Sequence, residues 1–196
     1  MSTNYIRGGL CAATLVMMTG VAQSQVDVLL VVDLSVPNQV TLNSTAGLSA
    51  ATVSGSDGIG VYLDNFYGVG GGALNETLVS GDITNVGSPS DGTPNLFRGG
   101  GGTDTGLNLF SWSDDPTVDF IAGTQAFTGS GTWTLDADDF ADMLNGNSSG
   151  NLYFPADDSG DVAGATLIGS YRVIVPAPGA ASLLGLGFAA AMRRRR

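Results

Sequence analysis

The sequence predicts an all-β domain: an antiparallel β-sandwich of jelly-roll type with one short helix. Three observations point there. Short apolar runs rich in Val, Leu, Tyr and Phe recur between clusters of turn residues. Glycine is abundant, at 30 residues, and Ser, Thr, Asn and Asp fill the same breaks. One segment alone carries a helical apolar period. The chain has 196 residues. Segment 23–174, between two apolar ends, is roughly 150 residues, which suits one domain. A domain of that size buries about two-thirds of the surface its unfolded chain exposes.

The elements follow in order. Val26 to Leu34 is the most apolar β-type run and predicts a buried strand. Val40 to Val53 is richer in Ser, Thr and Ala and predicts a weaker strand or two. Gly60 to Tyr67 reads as strand, then turn, and Gly68 to Gly72 as a glycine loop. Leu78 to Val86 predicts a pair of strands around Gly81-Asp82. Gly87 to Asp104 is the longest stretch of turn chemistry and reads as a loop. Leu107 to Trp112, Val118 to Ile121 and Gln125 to Leu135 are strand candidates. In the last, Trp133 and Leu135 alternate with Thr132 and Thr134. Asp136 to Leu144 predicts the helix. Asp136 is placed to cap it, Asp138 and Asp139 favour its positive end, and Phe140, Met143 and Leu144 share a face. Asn145-Gly146 stops it. Asn151 to Phe154 and Ala165 to Val175 complete the strands.

Both ends read as targeting devices. Segment 1–22 has the pattern of a secretory signal peptide, with Arg7 before an apolar core from Leu10 to Met18. Small residues at Gly20 and Ala22 predict cleavage by signal peptidase after Ala22. Cys11, the sole cysteine, would leave with that peptide. At the other end, Pro176 and Pro178 lack N–H groups and end strand pairing. The apolar run Gly179 to Met192 spans roughly 21 Å as a helix, short of a hydrocarbon core about 30 Å thick. That length suits transient membrane insertion. Arg193, Arg194, Arg195 and Arg196 resist translocation, which would leave the domain outside.

Segment 175–196 resembles the PEP-CTERM sorting signals of bacteria. In that family Val-Pro-Glu-Pro precedes a short hydrophobic helix and an arginine cluster. Val175, Pro176, Pro178, the Leu183 to Gly187 core and the arginine tail match the pattern. Ala177 stands where the family usually has Glu. The resemblance covers about a tenth of the chain. It implies an exosortase-type membrane transpeptidase as processing partner. It also implies release to the cell surface or extracellular matrix, in a setting of exopolysaccharide production.

Composition excludes more than it assigns. All 18 acidic residues lie in 23–174, where Arg98 and Arg172 are the sole basic ones. The formal net charge of −11 understates this, because the other arginines sit in the two end segments. Nucleic-acid binding needs a basic face and is set aside. The chain has no His and no Lys, so a Ser-His-Asp triad or a His-ligated zinc site cannot be built. Gly68 to Ala73 fits the formal G-x-G-x-x-A dinucleotide pattern, but no βαβ alternation surrounds it.

What remains is carboxylate chemistry. Asp157, Asp158 and Asp161 form an oxygen-rich turn and are the candidate Ca²⁺ ligands, although the twelve-residue helix-loop-helix spacing is missing. Asp136, Asp138 and Asp139 form a second cluster, better read as a helix start. No catalytic residue stands out and no other cofactor is implied. The expectation is an exported, acidic structural or binding protein. Its first alternative is a carbohydrate-binding module using Tyr62, Phe66, Tyr67, Trp112, Trp133, Tyr153 or Tyr171, most of which should be core. Its second is a glycoside hydrolase run by two carboxylates.

Overall fold

The computed structural model describes residues 26–68, 72–87, 92–111 and 117–175. The signal segment with its Ala22 cleavage position, Trp112, and Pro176 to Arg196 lie outside these residues. Within them the fold is all-β. The strands are β1 (Val28–Asp33), β2 (Gln39–Ser44), β3 (Val53–Ser56), β4 (Val61–Leu63), β5 (Glu76–Gly81), β6 (Thr84–Asn85) and β7 (Asn95–Phe97). They continue with β8 (Leu107–Phe110), β9 (Thr117–Phe120), β10 (Phe127–Thr128), β11 (Ser130–Leu135), β12 (Ser149–Phe154) and β13 (Thr166–Ile174). Two short helical pieces interrupt them, α1 (Gly99–Gly102) and α2 (Ala137–Leu144).

A nine-stranded sheet runs β5-β11-β2-β1-β13-β12-β4-β8-β7. It curls until it is nearly barrel-shaped. Two small sheets, β10-β6 and β3-β9, accompany it. Phe120 of β9 packs edge-on against Phe127 of β10 at 5.5 Å and against Phe154 of β12 at 5.0 Å. Phe120 therefore ties both small sheets to the large one. β1 lies inside the large sheet, beside its middle strand β13. Leu29, Leu30, Val31 and Val32 are all buried, as a centrally covered strand requires.

The structure departs from the expected pattern in four places. The sheet is mixed, because β1 pairs parallel with β13. The whole intervening chain serves as the crossover, so no tight hairpin is needed between them. Leu78 to Val86 does not fold back on itself. β5 pairs with β11 and β6 with β10. Asp82 explains the break: its N–H donates to the Ser130 carbonyl at 2.9 Å, and its Oδ1 accepts the Ser130 N–H at 3.1 Å. The 87–104 stretch contains β7 and α1, the latter with Gly100 and Gly101 at φ 61° and 66°.

The fourth departure concerns α2. Asp136 occupies the cap position with extended backbone, but its side chain makes no capping bond. Phe140 and Met143 are buried, whereas Leu144 is 38% exposed. The helix ends at Asn145, whose N–H bonds to the Ala141 carbonyl at 3.0 Å. No helix of the described residues is long and apolar enough to cross a membrane.

Candidate functional site

The acidic turn is brought to one point. Asp157, Asp158 and Asp161 each offer a carboxylate oxygen, and these oxygens lie within 4.8 Å of one another. The Asp157 N–H donates to Asp161 Oδ2 at 3.3 Å, and the Gly160 N–H to Asp158 Oδ1 at 2.6 Å. Backbone bonds close the loop: Asp161 N–H to the Asp158 carbonyl, then Gly164 and Ala165 N–H to the Asp161 carbonyl. Burial raises the pKa of Asp157 first. A hydrogen bond with Asp161 and the charges of Asp161 and Asp158 push it further the same way.

Asp104 holds this loop to the core. Its Oδ2 accepts the Ser159 N–H at 3.0 Å and the Ser159 hydroxyl at 2.7 Å. Its Oδ1 accepts the Gly106 N–H at 2.8 Å and the Tyr62 hydroxyl. Burial by itself would raise the Asp104 pKa, but the bonds from Tyr62, Gly106 and Ser159 outweigh it and hold the carboxyl below its ordinary value. Burial, then the bond to Asp104, pushes the Tyr62 phenol well above its usual range. Gly106 is required for this approach, since a Cβ there would sit 2.0 Å from the Tyr62 ring.

Arg98 extends the network. It is 3% exposed, an unusual burial for arginine. Its Nε donates to the Asp104 carbonyl at 2.9 Å and its Nη1 pairs with Asp142 Oδ2 at 2.9 Å. Its guanidinium lies 3.9 Å from the centre of the Tyr67 ring. Sequence reasoning placed Arg98 and Asp104 in a loop and missed both. One signal was available: Arg98 is the lone cation in a long acidic stretch.

The second acidic cluster is organised differently. Asp139 is buried and its Oδ2 accepts the Asn75 N–H at 2.9 Å. Asp142 serves Arg98. Asp136 and Asp138 stay exposed. With Asn75 these four line an open cleft of about 490 Å³. Asp136 and Asn75 also border a neighbouring cleft of about 470 Å³ that holds Glu76.

Most of the candidate sugar-stacking residues that are described are core, as expected. Tyr62, Phe66, Tyr67, Trp133 and Tyr171 are buried, and Tyr153 is half-buried. Gly72 and Ala73 lead into β5 and not into a helix, so the described part of the glycine pattern has no nucleotide-binding setting. Val175, the first residue of the predicted sorting motif, follows β13 and is 49% exposed. The chain matches no family model, no curated protein and no solved structure.

Proposed function

We propose that this is an exported protein of the cell surface or extracellular matrix, delivered through a C-terminal exosortase-type signal and acting structurally or as a binder, without catalysis. The observation that carries the reading is the ordered ending of the sequence. Val175-Pro176-Ala177-Pro178, an apolar run too short for a permanent span, and Arg193 to Arg196 follow one another in that order. A signal-peptide pattern ending at Ala22 agrees with it. Export precedes membrane capture, and processing at the tail then releases the domain. Fractionation of the native host tests this. The wild-type chain should reach the surface or matrix fraction. A variant with Gln at all four tail arginines should stay unprocessed in the cell; equal delivery of both would overturn the sorting role.

A finer architectural proposal is a jelly-roll-like sandwich whose second layer is built by the small sheets. The Phe120 contacts with Phe127 and Phe154 favour it. For binding, exopolysaccharide is the proposed matrix partner, with charge and hydrogen bonding as the main means of recognition because most of the candidate aromatics are buried. A second reading adds Ca²⁺ at Asp157, Asp158 and Asp161. Their convergence on one point favours it, and hard oxygen donors are what that ion takes.

A further inference from the structure

The nine-stranded sheet ends on β5 and β7, and no ladder joins them among the described residues. The two ends nevertheless meet. Thr93, just ahead of β7, lies against Gly81 of β5 and Gly131 of β11. A Cβ on Gly81 would be 2.5 Å from Thr93 Oγ1, and one on Gly131 would be 2.7 Å from Thr93 Cγ2. The two glycines make a socket that any larger residue would fill. The Thr93 hydroxyl is buried in it with no hydrogen-bond partner among the described residues, and the fit of its shape seats the side chain.

At the far end of β5, Glu76 and Leu96 line one cleft with Thr77, Thr134 and Asp136. Burial raises the Glu76 pKa, and the Leu96 N–H opposite favours its charged form. Thus 93–96 crosses the end of the sheet and touches β5 at both its ends. β7 has its own ladder on β8, three pairs from Asn95↔Phe110 to Phe97↔Asn108. Across the seam it has side-chain contacts in place of one. β5 itself is covered on neither face, with Leu78 46% and Val79 56% exposed.

We propose that Thr93 to Phe97 is a strap that closes the barrel through side chains, and that the β5–β7 seam is the line along which the fold opens. Opening costs no backbone ladder between these strands. It uncovers the Glu76 cleft and the outer edge of β5. Such local opening belongs at the low end of the stability range, because β7 is a three-residue edge strand in which Leu96 alone is buried.

Amide hydrogen exchange on the full chain tests the strap. In the wild type, the amides of Thr93, Asn95, Leu96 and Phe97 should exchange at least about tenfold faster than those of β1, by opening without global unfolding. Thr93→Ala empties the socket and Glu76→Ala removes the side chain that shares a cleft with Leu96. Each should speed exchange of 93–97 several-fold and leave β1 unchanged. Thr93→Val and Glu76→Gln keep the shape of each side chain, so both should stay near wild type. Three results would overturn the strap: 93–97 and β1 accelerating together, Val and Gln variants as fast as the Ala variants, or no change in any of the four.

Discussion

The chain holds two dense runs of aspartate, Asp136 to Asp142 around α2 and Asp157 to Asp161 in a loop, and the fold uses them in opposite ways. On α2 each carboxylate has its own destination. Asp139 takes the Asn75 N–H, Asp142 takes Arg98, and Asp136 and Asp138 face solvent. In the loop the carboxylates face one another within 4.8 Å. The first arrangement disperses charge and supports a helix start. The second concentrates charge and rests on an outside anchor, Asp104 through Ser159. Similar composition therefore yields a structural element in one place and a candidate cation site in the other.

The strongest way to break this comparison is to remove the anchor. Asp104→Ala strands the Tyr62 hydroxyl and the Gly106 and Ser159 N–H groups, and should cost about 3 kcal/mol in urea unfolding. Its pH dependence has a definite sign. The folded Asp104 pKa is lowered. Its stabilisation is therefore present above the ordinary carboxylate range and lost as pH falls through the folded value. The gap between wild type and Asp104→Asn should narrow in acid.

Calcium is the next test. If the loop binds it and the α2 cluster does not, saturating Ca²⁺ should raise stability, by about 2.7 kcal/mol at a hundred times Kd. Asp157→Asn should abolish the gain and Asp138→Asn should keep it. A melting temperature indifferent to Ca²⁺ would remove the distinction between the clusters.

The smallest effect concerns Asp157 without metal. Its folded pKa is raised, so its contribution is full below the unfolded carboxylate pKa and lost as pH rises through the folded value. Asp157→Asn should therefore stabilise the metal-free protein at neutral pH, by on the order of 0.5 kcal/mol because the loop is partly solvated. The gain should vanish near pH 3.

The sequence was legible where a local pattern decides structure. β1 is a run of buried aliphatics, and α2 follows its apolar period to Phe140 and Met143. The acidic turn was visible because its residues are neighbours in the chain. Pairing was not visible. The β1–β13 partnership joins nearly opposite ends of the described chain, and the β5–β6 break depends on Asp82 reaching Ser130. The Asp104 network was hidden for the same reason: Tyr62, Arg98, Asp142 and Ser159 are scattered in sequence and meet only after folding.

The central claim, export followed by sorting through the tail, is tested most directly by the intact mass of the protein isolated from its native host. The account predicts a mature chain that begins near Gln23 and ends between Pro176 and Gly179. A chain that still carries Arg193 to Arg196 would contradict it and leave the tail as a plain anchor.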